Sequence, residues 1–385
     1  MSKTSVEIAG KQLVLSRFPV TRDNSLQAWD SADELLIDHI NNEIDQNDLQ
    51  NMLIFNDDFG ALTCYFAEFQ PTFVSDSFMS HCGTKKNLAQ NNIQQEIAFC
   101  DVLNFESYCK NKPKLVVIKI PRTLALLEQI LISLSPLLTE STQIIGAAKT
   151  KMVTNSVLKL FERHIGKTNT SLAVKKSRLI FAQPALLTHK ESPYPTVVND
   201  PDICFELYNH ANVFCRDQLD IGARFLLKHF PKNHQNTSAK VIDLGCGNGV
   251  LGTAFSLLNP ECELTFVDES FMAVASAKLT FEKACKNRQA NFVVSHCLSS
   301  LPSSDKGNID LVLCNPPFHQ QNTITDEIAW SMFSDAYKFL KIGGELRIVA
   351  NRHLDYMSKL RKLFGGAKVI TSNKKFTILS ATRRN

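Results

Sequence analysis

Residues 240–249 read Lys-Val-Ile-Asp-Leu-Gly-Cys-Gly-Asn-Gly, and these ten positions decide the fold. A β-branched run ends on Asp243 and opens into a loop carrying Gly245, Gly247 and Gly249, after which Leu251–Leu258 is apolar with helical character. Glycines at such a turn let the backbone bend sharply and approach a ligand where any Cβ would collide. Strand, glycine loop and helix in that order are the context of a nucleotide-binding loop. The spacing, acid-x-Gly-x-Gly-x-Gly, differs from the dinucleotide fingerprint. An acid at the strand end would repel a phosphate but suit a sulfonium-bearing amino acid, which favours S-adenosyl-L-methionine over NAD as cofactor. Nineteen residues beyond Gly249, at the end of the next strand, stands Asp268. A carboxylate there can accept hydrogen bonds from both hydroxyls of a ribose.

Working outward, short β-branched runs alternate with amphipathic stretches. Glu263–Val267, Asn291–Val294 and Ile309–Leu313 read as strands, and Met272–Lys286 reads as a helix. Apolar strands alternating with helices predict an α/β domain whose parallel sheet is covered on both faces. Directly after the strand at 309–313 comes Asn315-Pro-Pro-Phe318. Two prolines remove donors and fix φ, so this is a stiff loop at the carboxyl edge of the sheet, where ligands of such sheets bind. Asn315 offers an amide oxygen, Pro316 a carbonyl and Phe318 a flat face. Two acceptors can hold both hydrogens of an exocyclic amine while the ring stacks on a base. None of these groups is a strong base, so the reaction is direct displacement, with the nitrogen losing its proton only after it becomes cationic.

The same rhythm occurs earlier. Leu53–Leu62 lies over Ile242–Leu251 at an offset of 189, Phe73–Ser80 over Phe266–Ala273 at 193, and Leu115–Arg122 over Leu311–Phe318 at 196. Offsets that grow slowly and in order are what loop insertions produce, so the chain reads as two copies of one α/β domain. The 385 residues suffice for two cores. Pro184, Pro193, Pro195 and Pro201 crowd the segment between the copies and argue against a regular element there. The expected division is residues 1–183, a linker at 184–203, and residues 204–385.

These motifs, in order and spacing, resemble the class I S-adenosylmethionine-dependent methyltransferases, and the Asn-Pro-Pro-Phe form resembles those that methylate exocyclic amines. With Asn209–Leu227, Asp268–Ala275, Asn315–Gln321, Ile348–Tyr356 and Leu26–Leu35, nearly the whole chain is similar to the ribosomal RNA guanine-N2 methyltransferases, most of all their large-subunit members. The resemblance implies two tandem Rossmann-like methyltransferase domains, the N-terminal one degenerate, with catalysis in the C-terminal one. It implies methylation of a guanine N2 in 23S rRNA, naked or in a pre-ribosomal particle. Residue by residue, it implies that Asp243, Gly245, Gly247 and Gly249 cradle the cofactor, that Asp268 holds its ribose, and that Asn315, Pro316 and Phe318 grip the guanine amine. Phe214, Asp220 and Gly222 precede the glycine loop in a segment that folds over the cofactor in such enzymes. The family usually presents Asn or Asp after the third strand, but here the run is Val293-Val-Ser-His-Cys-Leu298, leaving Ser295 or His296 to meet the adenine.

In the first copy the glycine loop has become Asn56-Asp-Asp-Phe-Gly60, and Lys119-Ile-Pro-Arg122 replaces Asn-Pro-Pro-Phe. Side chains would fill the cofactor space and no amide acceptor remains, so this copy is expected not to bind S-adenosylmethionine. Ser75 stands opposite Asp268, leaving Asp76 one place late with at most a capping role. The bland net charge of +4 hides segregation: residues 1–109 hold 6 basic and 16 acidic residues, residues 110–178 hold 13 and 3, and residues 347–385 hold 10 and 1. Two such basic stretches suggest a polyanion partner. Lys119, Arg122, Lys149, Lys151, Lys175, Lys176, Arg178 and Arg352 are the candidate RNA contacts.

Eleven cysteines, odd in number and never in C-x-x-C, read as reduced thiols of a cytoplasmic protein. No metal-ligand spacing, apolar leader or membrane-length apolar run is present. Small-subunit rRNA guanine, adenine N6 and protein glutamine are competing nitrogen acceptors, because the same Asn-Pro-Pro grip suits them all. A non-catalytic RNA-binding assembly factor would fit the first copy, but it predicts erosion in the second, where Asp243, Asp268 and Asn315 are intact.

Overall fold

The computed structural model describes residues 4–21, 23, 25–109, 111–185, 191–231, 238–317 and 323–384. The chain forms two compact units, Met1–Pro193 and Tyr194–Asn385. The first runs β1 (Ser5–Ile8), β2 (Lys11–Val14), α1 (Ser31–Glu43), β3 (Leu53–Phe55), α2 (Ala61–Tyr65), β4 (Thr72–Val74), α3 (Phe78–Gln90), β5 (Ala98–Cys100), β6 (Leu115–Lys119), α4 (Leu124–Leu134), β7 (Gln143–Lys149), α5 (Asn155–His164), β8 (Thr168–Thr170) and β9 (Ser177–Ala182). The second runs β10 (Thr196–Val198), β11 (Leu207–Asn209), α6 (Ile221–Leu227), β12 (Lys240–Leu244), α7 (Val250–Leu258), β13 (Glu263–Asp268), α8 (Phe271–Ala284), β14 (Asn291–Val294), β15 (Ile309–Cys314), α9 (Thr323–Phe339), β16 (Leu340–Asn351), α10 (Tyr356–Phe364), β17 (Lys368–Ser372) and β18 (Phe376–Thr382).

Each unit is built on a seven-stranded sheet, in the order β5-β4-β3-β6-β7-β9-β8 and β14-β13-β12-β15-β16-β18-β17. The two orders are the same topology. The registers agree as well. Phe55 lies between Val74 and Ile118, as Leu244 lies between Val267 and Cys314, which reproduces the offsets of 189, 193 and 196 read from the sequence. In both sheets the first five strands are parallel and the sixth, β9 or β18, runs against them and against the edge strand β8 or β17, so the chain reverses at the carboxyl edge through a terminal hairpin.

Alternation places the two faces of the second sheet in different cores. Ile242, Leu244, Val312 and Cys314 pack under α9 and α10, whereas Val241, Leu311 and Leu313 pack under α6, α7 and α8. Burial on both faces is why these strands read as continuous apolar runs. The proline-rich segment differs from expectation, because Thr196–Val198 forms β10 and pairs antiparallel with β11. Proline disrupts only its own donor and the residue before it. The five residues between Pro195 and Pro201 keep their N–H groups, and the first three of them suit a short edge strand.

Candidate active site

The glycine loop connects β12 to α7. Gly245, Gly247 and Gly249 all have positive φ, at 72°, 54° and 77°. Gly249 is the N-cap of α7, and a Cβ there would stand 2.8 Å from the backbone of Ala277, so the left-handed turn brings α7 against α8. A Cβ on Gly247 would meet nothing within 4 Å, which leaves that side of the loop as a cradle open to a ligand. Asp243 lies beneath the loop, fully buried, and its Oδ2 accepts the Gly252 N–H at 2.8 Å while Oδ1 has no partner among the described residues. Burial, reinforced by the nearby Asp268, pushes its carboxyl up to about 8. That lies well above the value of ~4 in an unfolded chain, so the folded state holds a proton between the two and stability falls as pH rises through that window. From pH 6 to pH 8 the loss is on the order of 2 kcal/mol. Asp243→Asn keeps an acceptor for Gly252 but cannot ionise, so its Tm is expected to fall less over this range. Parallel calorimetric curves would contradict the assignment.

Asp268 ends β13 and is partly exposed. Its Oδ2 accepts from Gly247 N–H at 2.9 Å and its Oδ1 from Ser270 N–H at 3.1 Å. The Glu269 N–H also bonds this carboxylate, which beyond its three backbone donors keeps acceptor capacity for a ribose hydroxyl. The residues present therefore fit a nucleoside-bearing cofactor such as S-adenosylmethionine: an open glycine cradle flanked by a two-acceptor carboxylate.

Asn315 follows β15, with Pro316 buried and Pro317 exposed after it. Its Nδ2 donates to Asp220 Oδ2 at 2.9 Å, and its Oδ1 is buried with no hydrogen-bond partner among the described residues. The Tyr356 hydroxyl donates to the Pro317 carbonyl at 3.3 Å, and the Tyr356 ring packs edge-on against Phe333. Phe318 lies outside the described residues. Ser295 is buried and its hydroxyl accepts the Ser300 N–H at 3.0 Å, so that side chain is spent on its own turn. His296 is partly buried, and burial lowers its pKa, which favours the neutral imidazole. Phe214 is exposed, Gly222 is buried in α6, and Asp220 is the N-cap of α6, accepting from Ala223 N–H at 2.8 Å.

Two buried residues of this site were not singled out from the sequence. Asn248 donates to Asn209 Oδ1 at 2.9 Å, tying the glycine loop to the end of β11. That strand is fixed in turn on α8, where Thr280 and Ser276 hydroxyls accept the Tyr208 and His210 N–H groups. Their signal was present, since Asn248 sits inside the glycine motif and Asn209 opens the stretch 209–227.

The RLMG N-terminal domain model matches residues 3–186 and the Methyltransferase small domain model matches residues 204–380. Ribosomal RNA large subunit methyltransferase G of Pseudoalteromonas translucida is 49% identical, covering 98% of this chain and 97% of its own. The enzymes of the same name from Aeromonas salmonicida and Psychromonas ingrahamii are 46% and 45% identical, each covering 98% or more of this chain and 99% or more of their own. The chain belongs to the ribosomal RNA large subunit methyltransferase G family. A solved 16S rRNA N2 methyltransferase of T. thermophilus, in complex with AdoMet and guanosine, covers 99% of the chain and 98% of its own with a TM-score of 0.75. At 17% identity this likeness speaks for the fold, two tandem methyltransferase-like domains.

In this chain the first unit keeps the frame of the site while changing its chemistry. Gly60 is the left-handed N-cap of α2 (φ 82°), as Gly249 is of α7. The helix N–H bonded by Asp243 in the second copy has its counterpart in Thr63, whose N–H and hydroxyl both go to Asp57 at 2.8 Å. The acid has thus moved from the strand end into the loop, where it is buried. Ser75 Oγ accepts the Ser77 N–H as Asp268 accepts that of Ser270, and the cap of α3 is Ser77, not Asp76. Phe59 lies against Gly83 and under the Arg17 guanidinium at 4.6 Å, so an aromatic ring occupies the loop of this copy. Among the described residues of both units, no cluster of His, Cys, Asp or Glu could hold a metal ion, and no helix is long and apolar enough to cross a membrane.

The expected RNA contacts of the two units are not alike. Lys119 must be withdrawn, because it is nearly buried and ion-paired with Asp33 and with Asp30 at 3.4 Å. Burial alone would lower its pKa, but the two carboxylates outweigh that and hold it charged. Lys149 donates to Ser31 Oγ at 2.6 Å and is half-exposed, and Lys175 is exposed while bonded to Glu34 at 2.8 Å. Arg178 is partly buried, with an Nε that is shielded from solvent and unpartnered. Arg122, Lys151, Lys176 and Arg352 are exposed.

Proposed function

We propose that this chain transfers a methyl group from S-adenosylmethionine to the exocyclic N2 of a guanine in 23S rRNA, and that only its second unit carries out the chemistry. The observation that carries this reading is Asn315, whose amide nitrogen is taken by Asp220 and whose buried oxygen is left without a partner. A stranded acceptor costs about 1–3 kcal/mol, a cost that a bound amine would relieve. Bound S-adenosylmethionine supplies an electrophilic methyl group. The chain's own part is to hold the amine: Asn315 Oδ1 and the Pro316 carbonyl accept its hydrogens and fix the direction of its lone pair, and Phe318 stacks on the base. The cofactor is held by the Gly245–Gly249 loop, by Asp268 at the ribose and by Phe214, Asp220 and His296 around it, with Asp243 and Ser295 supporting the loops from beneath. The identity of the curated relatives favours 23S over 16S rRNA. Labelled methyl incorporation into naked 23S rRNA from cells lacking this chain, and none into 16S rRNA, is the expected result, and the reverse preference would contradict it.

We read the first unit, residues 1–183, as an RNA-facing unit that binds no cofactor, joined by residues 184–203 to the catalytic residues 204–385. Its loop offers side chains where the second offers a cradle, so calorimetry on the full chain is expected to find one cofactor per chain, and two would contradict this. The basic residues cluster at corresponding places. Lys149 pairs with Ser177 as Asn351 pairs with Phe376, and each of these strands is preceded by a Lys-Lys hairpin tip, Lys175-Lys176 and Lys374-Lys375. Both tips stand at the carboxyl edge of their sheet, the edge that in the second unit holds Asn315. With Arg122, Lys151 and Arg352 they form the phosphate-contact surfaces of our reading. Replacing either Lys pair by Ala is expected to lessen the salt slope of RNA binding by roughly one unit, at about 0.7 per phosphate on single strands. An unchanged slope in both variants would remove the tips from the interface. The eleven cysteines are unpaired, and an rRNA substrate fits a cytoplasmic enzyme.

A further inference from the structure

We infer that Asp220 is a positioning residue for methyl transfer: it sets the orientation of the Asn315 amide so that the oxygen, not the NH₂, faces the substrate amine. The inference rests on the reading of Asn315 as the amine acceptor. An asparagine side chain is symmetric in shape, and which end points where is decided by its partner. An ionised carboxylate can only accept, so Asp220 Oδ2, 2.9 Å from Nδ2, permits one orientation and excludes the flipped one. The same Oδ2 accepts the Ala223 N–H at 2.8 Å as the cap of α6, so the carboxylate is itself fixed by the helix and cannot follow a rotating amide. Asn315 precedes a proline, which confines its backbone to the extended region and leaves the side-chain torsion as the principal freedom to be removed. A hydrogen bond to a charged acceptor is also stronger than a neutral one and draws electron density toward Oδ1, improving it as an acceptor for an amine that is becoming cationic.

The first copy shows that this pairing belongs to the frame. Asp30 caps α1, the helix before the first sheet strand, as Asp220 caps α6, and Lys119 occupies the register position of Asn315. There the cap aspartate again meets the residue at the end of the fourth strand of the motif, Lys119 Nζ lying 3.4 Å from Asp30. The contact between the two positions exists in both copies, but only in the second does it leave an acceptor over.

Because one oxygen meets both donors, Asp220→Asn can keep a carbonyl oxygen in that place and hold the Asn315 amide as before. Asp220→Ser keeps an oxygen to cap α6 but is one bond shorter, so it serves Ala223 without reaching Asn315. We expect kcat at saturating S-adenosylmethionine to fall about 10–100-fold in Asp220→Ser with Tm little changed, and to stay within about three-fold of normal in Asp220→Asn. Near-normal kcat in Asp220→Ser, or a loss in Asp220→Asn as large as that in Asp220→Ser, overturns the inference. A loss in Asp220→Ser that follows a fall in Tm and is recovered at a lower assay temperature overturns it as well. Asn315→Ala separates the two levels. Normal kcat in that variant removes the reading of the site itself, whereas loss in Asn315→Ala with normal kcat in Asp220→Ser removes only the role of Asp220.

Discussion

Asn315→Ala is expected to lower kcat for methyl transfer by roughly 10²–10³-fold while leaving cofactor affinity within about two-fold, the effect typical of removing one aimed polar group from a dry site. Among the described residues no hydrogen bond joins the Asn315 side chain to the glycine loop or to Asp268, and its amide bonds across to Asp220 instead. The change therefore removes an acceptor for the substrate without touching the cofactor cradle. It removes a buried oxygen that has no partner among the described residues together with the hydrogen bond to Asp220, and these two effects on stability oppose one another, so Tm is expected to change little. Single-turnover kinetics with saturating cofactor check the prediction directly. Equal rates would mean that the amine is held by other groups.

Lys119→Ala is expected to destabilise the first unit by about 3–5 kcal/mol and to leave RNA affinity unchanged, because it strands the buried Asp33 carboxylate rather than losing a phosphate contact. Asp33 is already pushed up to about 6 by burial, with Lys119 opposing, so without the lysine it must protonate or repel. On a unit of this size the loss corresponds to a fall in Tm of roughly 10 °C. Lys119→Met with Asp33→Leu removes both charges at nearly constant volume and should recover most of the stability. Weakened RNA binding at unaltered Tm would return Lys119 to the surface and contradict the ion pair.

What was legible in the sequence is what is local. The glycine loop, the two following strand ends and the Asn-Pro-Pro turn each announce themselves within ten residues; the strand expected at 291–294 is found with those bounds, and the run read as ending on Asp243 closes on Leu244. The strands at 263 and 309 run one residue further than read, and the helix expected at 272–286 spans Phe271–Ala284. The duplication was legible because sheet register preserves offsets even where side chains have changed. Partnerships across long separations were not. Asp220 and Asn315 are 95 residues apart, and Lys119 and Asp33 are 86 apart. A lysine in a basic stretch looks like a phosphate contact until folding sets it beside an acid from the start of α1. Likewise, four prolines near 193 suggested an irregular linker, but the gap between the last two was wide enough for β10.

The central claim, a duplicated fold whose second copy alone methylates an exocyclic guanine amine, is tested most directly by identifying the product. Naked 23S rRNA lacking the modification, treated with the full chain and methyl-labelled cofactor and then digested to nucleosides, should yield N2-methylguanosine as the single labelled species, and none with Asn315→Ala. Label on adenosine, on another atom of guanosine, or undiminished in the Asn315→Ala reaction would contradict the account.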